Sequence, residues 1–405
     1  MTLGVGGSTP EIELAKLSDM TGGIEPISQA ELSARLEKAQ RLMQEQGIEA
    51  LYLNAGSNLY YFTGLRWYAS ERMVGAILPA RGKLEYIAPH FEMGTIQGFM
   101  NVQGEVNTWH EDECPYELVN TVLTRMGINS GKLAIDESAA FFLCEGVRLA
   151  NPNMQLQSAQ SVTQVCRACK SEAEIAIIKR AMDMTLEVHK AVARILHPGI
   201  TVADVEAFIE KAHMKVGAPA GNYFCIVLFG EDSQYPHGVK TPKALEAGEI
   251  VLIDTGCELF GYKSDITRTY VFGDASERQR EIWDLEKAGQ VSAFAAARLG
   301  EPCGNVDIAV RNTLEAAGMM QDYGLPGLPH RTGHGIGLDI HEGPYLVRSD
   351  KTPLQVGMCF SNEPMLCIPG EFGIRLEDHF YMSANGPVWF TEPAHSIDDP
   401  FGYQA

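Results

Sequence analysis

Four acidic residues stand inside stretches that otherwise read as buried β-strand, and this restricts the fold more than any other feature of the chain. In "VLIDTGCELFGYKSDITRT", Asp254 ends the apolar run Val251-Leu252-Ile253, and Asp265 follows a glycine-turned return of the chain. In "CFSNEPMLCIPGEFGIRLEDHF", Glu363 and Glu377 repeat the pattern on "MCFSNE" and "FGIRLE". An ionised carboxylate is expensive to bury without a partner. For the aspartate pair alone, a hairpin with solvent-facing acids fits as well. The four acids together, with His334 in the glycine-rich "TGHGIGLDIHEGP", ask for a shared positive charge. Oxygen ligands with one imidazole suit a divalent cation, and the number of carboxylates suits two. Without that charge, clustered carboxylates must protonate or repel one another.

Around this core the chain divides in two. Its 405 residues exceed what one hydrophobic core usually serves. Residues 1–25 are rich in Gly, Ser and Thr and are expected to form an arm over the surface. "SQAELSARLEKAQRLMQEQG" predicts a helix: Ser28 and Glu31 are spaced as a capping box, Leu32, Leu36, Ala39 and Met43 share a face, and Gly47 closes it. The strand "IEALYLN", the hairpin halves "VGAILPA" and "KLEYIAP", the helix "PYELVNTVLTRMGI" and the strand "KLAIDE" complete an α/β domain over residues 26–163. Beyond it, over 164–405, a long helix begins behind a second capping box at Ser171 and Glu174, and "TVADVEAFIEKAHMKVG" follows as another helix. Strands then alternate with helices near 276–299 and 304–318, an α+β arrangement with a hint of internal duplication.

Composition narrows the function classes. A formal charge of −20 argues against a nucleic-acid partner, which attracts basic faces. The nine cysteines are scattered through apolar runs, and Cys166-x2-Cys169 lacks a second pair, so buried free thiols in a reducing compartment are expected rather than a zinc site. No stretch of 18 residues is uniformly apolar, and the N-terminus carries neither a basic n-region nor an apolar h-region. A cytoplasmic protein with no membrane span is the expectation.

The order Asp254-x10-Asp265, His334-x28-Glu363-x13-Glu377 resembles the dinuclear-metal peptidases of the pita-bread fold, the creatinase, aminopeptidase P and prolidase family. The words "GHGIGLDIHEGP", "NEPML" and "GIRLED" carry the likeness, and "RLEKAQRLMQEQGIEALYLNAGSNLYYFTGL" extends it to the creatinase/prolidase N-terminal domain. The resemblance implies a pita-bread catalytic domain and two divalent ions per subunit, Mn first and Zn, Co or Fe as substitutes. Asp254 would chelate one ion, His334 with Glu363 the other, and Asp265 with Glu377 would bridge them. Glu363 would also serve as general base. His237 in "SQYPHGVK" and His341 match histidines that line the family's substrate site, where an imidazole can stabilise an oxyanion or protonate a leaving nitrogen. Arg375 matches an arginine that holds substrate or orients the acids. Tyr223 aligns with a tyrosine whose hydroxyl points to the metals; a core tyrosine satisfies that position too.

One departure stands out. After "HEGP" the chain has Tyr345, where dipeptidase relatives carry an arginine for the substrate carboxylate. Arg375, a partner subunit, or Arg66 and Arg72 in "GLRWYASER" are the candidate replacements. The resemblance thus implies a homodimeric Xaa-Pro dipeptidase acting on small peptides. An Xaa-Pro aminopeptidase acting on longer peptides, or a metal-dependent lyase cleaving a sulfonium substrate, is the alternative.

Overall fold

The computed structural model describes residues 1–404, which divide into two compact units: Ile27–Arg167, and Met1–Pro26 together with the chain from Ala168 onward. In the first unit a six-stranded sheet runs in the order β4-β3-β2-β1-β5-β6. Its strands are β1 (Ile48–Asn54), β2 (Gly75–Pro79), β3 (Glu85–Pro89), β4 (Val106–Trp109), β5 (Gly131–Ile135) and β6 (Met154–Ser158). The expected hairpin is β2 against β3, while β1-β5, β5-β6 and β3-β4 are parallel. Parallel neighbours need crossovers, and the helices Gln29–Gln46, Pro115–Arg125 and Phe141–Ala150 lie along the chain between and before these strands. Helix Gln29–Gln46 starts where Ser28 accepts the Glu31 N–H and stops at Gly47, whose φ of 64° is left-handed. Such a geometry favours a residue without a Cβ.

The second unit holds the remaining strands. They are β7 (Asn222–Phe229), β8 (Ile250–Leu259), β9 (Tyr262–Lys263), β10 (Ile266–Val271), β11 (Gly333–Gly335), β12 (Glu342–Leu346), β13 (Cys359–Asn362), β14 (Met365–Ile368), β15 (Phe372–Arg375), β16 (Asp378–Ser383) and β17 (Gly386–Trp389). They form a β10-β8-β7 sheet with β9 on β8, a β12-β11-β13-β16-β17 sheet, and a β14-β15 ribbon, all antiparallel. A bridge between Thr267 and Glu377 ties the first sheet to the break between β15 and β16.

Two helix pairs support these sheets: Glu172–Ile195 with Val202–Val216, and Glu277–Ala296 with Cys303–Ala316. Three of the four start with complete capping boxes, at Ser171, Thr201 and Ser276. Each cap contributes about 1 kcal/mol. Burial contributes more. Ile177, Ile178, Met182, Val188 and Val192 on the longest helix are all within 1% of fully buried. Each such side chain contributes about 1.5–3 kcal/mol. The core continues through Trp283, Phe360 and Phe380, with Phe294 stacked on Trp389 at 4.2 Å.

The N-terminal segment is more ordered than a surface arm. It contains the helix Pro10–Lys16, capped by Thr9, and the fully buried Glu13 pairs with Arg194 and Lys16 at 2.6 Å each. Its flanking glycines and serines hide a two-turn helix, too short to persist on propensity alone, which is held by the Thr9 cap and by the pairing of buried Glu13 with partly exposed partners. No disulfide joins the nine cysteines among the described residues. No helix among the described residues is long and apolar enough to cross a membrane.

Candidate metal centre and substrate cavity

Asp254, Asp265, His334, Glu363 and Glu377 line one cavity of about 620 Å³. Asp254 lies mid-strand on β8 and His334 on β11. The other three do not sit on strands, as their sequence context suggested, but at strand interruptions: Asp265 between β9 and β10, Glu363 between β13 and β14, Glu377 between β15 and β16. At Glu363 the cause is local, because Pro364 has no N–H with which to continue the ladder. The breaks remain anchored. The Glu363 N–H donates to Thr332 O at 2.9 Å, and the Glu377 N–H to Thr267 O at 3.2 Å.

The hydrogen bonds orient each donor atom. His334 Nδ1 donates to Gly335 O at 3.0 Å, which turns Nε2 toward the acids. That nitrogen lies 3.0 Å from Glu363 Oε1 and 3.7 Å from Asp265 Oδ2. Thr267 Oγ1 donates to Glu377 Oε2 at 2.7 Å. Arg375 donates to Asp254 Oδ2 at 2.6 Å and to Thr267 Oγ1 at 3.0 Å, so it holds an acid in place. Asp254 Oδ1, Asp265 Oδ1 and Glu377 Oε1 are buried with no hydrogen-bond partner.

Electrostatics make the same point. Burial, followed by the neighbouring charges of Glu377, Asp254 and Glu363, pushes Asp265 well above the usual carboxylate range. Burial and the charges of Glu363 and Asp254 do the same to Glu377. Asp254 rises through burial although Arg375 opposes it. Glu363 behaves differently: burial would raise it, but the charge and hydrogen bond of His334, with His330 and Arg375, hold it low. Three acids resisting ionisation, each with an orphaned oxygen, fit a site built around cationic charge. Asp265, His334, Glu377 and His379 each offer a donor atom within 4.8 Å of the others, a spread that one ion can span.

The structure places the remaining predicted residues around the cavity rim. His237 and His341 line it, and both keep substantial solvent exposure although the His341 ring is partly covered. The His341 ring lies 4.0 Å from that of His334, and burial of its ring followed by the neighbouring His334 lowers its pKa to about 4. Tyr223 also lines the cavity, but its hydroxyl donates to Ser264 O at 2.8 Å.

Three residues escaped sequence reasoning: His330, Arg331 and His379. His330 precedes His334 by four positions, and its Nδ1 meets Arg331 O at 2.7 Å. The Arg331 guanidinium stacks 4.3 Å above the Tyr345 ring. His379 follows Glu377 by two. Period-2 alternation puts both on one side of the strand, and this was the available signal.

Comparison with known proteins agrees with this architecture. Residues 176–384 match metallopeptidase family M24, and residues 35–169 match the creatinase/prolidase N-terminal domain. The chain is 32% identical over 372 residues to a Mycobacterium tuberculosis protein named "Probable dipeptidase PepE", covering 90% of this chain and 95% of the relative. The crystal structure of dipeptidase PepE from Mycobacterium ulcerans superposes with a TM-score of 0.84 at 31% identity, covering 92% of this chain and 98% of that one. A prolidase from Thermococcus sibiricus gives 0.81 at 29%, covering 89% and 96%. With both matched regions in register and the paired fold in place, the chain belongs to metallopeptidase family M24, as a hydrolase of the dipeptidase and prolidase kind with a creatinase-type N-terminal domain.

Proposed function

We propose that the chain is an Xaa-Pro dipeptidase whose active site is the cavity around Asp254, Asp265, His334, Glu363 and Glu377. The observation that carries this reading is Arg331. It lines the same cavity as the five ligand candidates and, among the described residues, makes no ion pair. Its guanidinium carbon lies over the Tyr345 ring, 4.3 Å from the centroid, and Nη2 is 3.3 Å from His341 Nδ1. A planar, permanently charged fork of that kind matches a carboxylate bidentately. Arg331 therefore supplies the cation that Tyr345 lacks, and the carboxylate it reads is the C-terminus of a dipeptide. The apolar walls at Phe224, Ile226 and Ile340 suit a pyrrolidine ring. The cavity volume lies within the range of about 300–1,000 Å³ common to small-ligand sites.

Asp254 and Asp265 would hold one ion, His334 and Glu363 the other, with Asp265 and Glu377 shared. Two divalent ions there supply Lewis acidity and a water nucleophile active at neutral pH. Glu363, kept ionised beside His334, accepts the proton of the attacking water. His341, largely neutral above pH 4, donates a hydrogen bond to the developing oxyanion, and His237 faces the leaving nitrogen. Arg375 holds Asp254 in its chelating orientation. The homodimer implied by the resemblance and the cytoplasmic location expected from the sequence belong to the same reading.

The test is hydrolysis of Ala-Pro and Leu-Pro beside Ala-Pro-Ala, on chelator-stripped protein with and without added Mn²⁺. Metal-dependent cleavage of the dipeptides alone is the expected result. Cleavage of the tripeptide would replace this reading with an aminopeptidase P. No cleavage of either by metal-loaded protein would refute peptidase activity and bring a lyase forward.

A further inference from the structure

His379 is a fully buried histidine whose ring nitrogens make no well-formed hydrogen bond, with the Asp265 backbone as a weak neighbour, and nothing in the peptidase mechanism above uses it. A buried polar atom left without a good hydrogen bond costs about 1–3 kcal/mol, so a ring held in this way calls for a better partner. Its position suggests one. On β16 it is two residues past Glu377 and pairs in register with Ser361 of β13. Ser361 Oγ in turn accepts the His334 N–H at 2.8 Å and donates to Glu363 Oε1 at 3.1 Å. The His379 ring therefore stands beside the residue that links two of the ligand candidates, and its centroid is 5.8 Å from that of His334. Its nitrogen, His334 nitrogen and one oxygen each of Asp265 and Glu377 lie within 4.8 Å of one another. Donors on opposite sides of an ion at about 2.1 Å each are about 4.2 Å apart, so this spread closes on a single ion with small side-chain adjustment.

We propose that His379 is an additional metal ligand, giving one of the two ions a second imidazole beside His334. The inference rests on the reading of the cavity as a metal centre and not on which peptide is cut. It has a chemical consequence. Five ligands with one imidazole are the oxygen-rich set that suits Mn²⁺, whereas two imidazoles with carboxylates move preference along the divalent series toward Fe²⁺, Co²⁺ and Zn²⁺. The ion coordinated by His334 would then be the more tightly held and the less manganese-like of the two. The neighbouring Asp265 and Glu377 favour that geometry, because each offers an oxygen within the same 4.8 Å spread and each has a buried oxygen with no hydrogen-bond partner.

X-ray absorption on the intact chain loaded with Zn²⁺ counts imidazoles without any variant. Two imidazole ligands per protomer are expected, falling to one in His379→Asn, which retains much of the side-chain volume. Competition of Zn²⁺ against Mn²⁺ should shift by about tenfold toward Mn²⁺ in His379→Asn, with retained circular dichroism showing that the fold survives. A single imidazole per protomer in the unmodified protein overturns the proposal. Failure of the stripped protein to take up any divalent ion would instead sink the metal centre itself, so the two failures are distinguishable.

Discussion

Replacing Asp378 by Asn should cost the catalytic unit about 3–4 kcal/mol, and the reason lies one residue from the metal cluster. Asp378 and Arg268 are both fully buried, and Arg268 Nη2 meets Asp378 Oδ1 at 2.7 Å. The other acceptors of Arg268 are neutral carbonyls: Glu377 O at 3.1 Å, Thr267 O at 3.2 Å and Glu392 O at 3.0 Å. Arg268 Nε has none. The guanidinium cannot shed its proton, so Asp378→Asn leaves an uncompensated charge in the interior, and breaking a buried pair this way costs about 3–5 kcal/mol. The lower part of that range applies because the carbonyls solvate the charge in part. Arg268→Met has a partial escape, since burial already pushes Asp378 upward against the pull of Arg268 and the lone acid can take up a proton. The double variant should therefore be more stable than the sum of the single losses predicts, by about 2 kcal/mol. Urea unfolding of chelator-treated protein, followed through the environment of buried Trp283, measures all three. Strict additivity, or an Asp378→Asn cost below 1 kcal/mol, would refute the claim that this is a desolvated, coupled pair.

Other outcomes follow from the same geometry. Arg331→Ala should raise KM for Ala-Pro by about tenfold to a hundredfold with a smaller change in kcat, as expected for loss of a charge-assisted contact of about 1.5–3 kcal/mol; an unchanged KM would remove Arg331 from substrate recognition. Gly256→Ala should lower stability by about 3 kcal/mol in thermal or urea unfolding, because an added Cβ would lie 1.8 Å from Ser264 O and push β8 from the segment that carries Asp265. Arg375→Gln should lower metal affinity by about tenfold in a chelator competition, since Asp254 loses its 2.6 Å orienting contact, and unchanged affinity would show that the acid is held by other means. Acid should also weaken the fold through His213, whose pKa burial lowers from 6.5 to about 4 despite its bond to Ile209 O. The unfolded chain takes up this proton near pH 6.5 and the folded protein only near 4, so the contribution is intact above pH 6.5. It is lost as pH falls through that interval, by about 3 kcal/mol in all. His213→Gln should flatten the stability–pH curve there, and an unchanged slope would assign the loss to other groups.

Much of this architecture was legible because buried charge is conspicuous. An acid directly after Val251-Leu252-Ile253 cannot be an ordinary core residue, and the same logic picks out Glu363 and Glu377. Capping residues at Ser28, Ser171 and Thr201 marked helix starts that the structure keeps. The strand interruptions at Asp265 and Glu363 were harder, since a ladder ends when its partner strand turns away and that partner lies far along the chain. His379 sat in "LEDHF", where its two-residue spacing from Glu377 was the only signal, and the pairing of β13 with β16 sets it opposite Ser361. The meeting of Arg331 with Tyr345 depends on the pairing of β11 with β12, which sets His334 opposite Tyr345, and has no local signature. The helix Pro10–Lys16 went unseen because Arg194, far along the chain, supplies the partner that Glu13 needs.

The division of the centre between two sheets has a physiological side. Asp254 and Asp265 come from one sheet, His334, Glu363 and Glu377 from the other or its ribbon, so a bound ion ties together segments that chain connectivity alone leaves independent. Free ion at a thousand times Kd adds about 4 kcal/mol to the folded state, and proteases that attack transiently opened molecules see that difference directly. Copies that fail to acquire metal are then the copies removed first. With metal bound as proposed, the turnover of this protein would follow the metal supply around it.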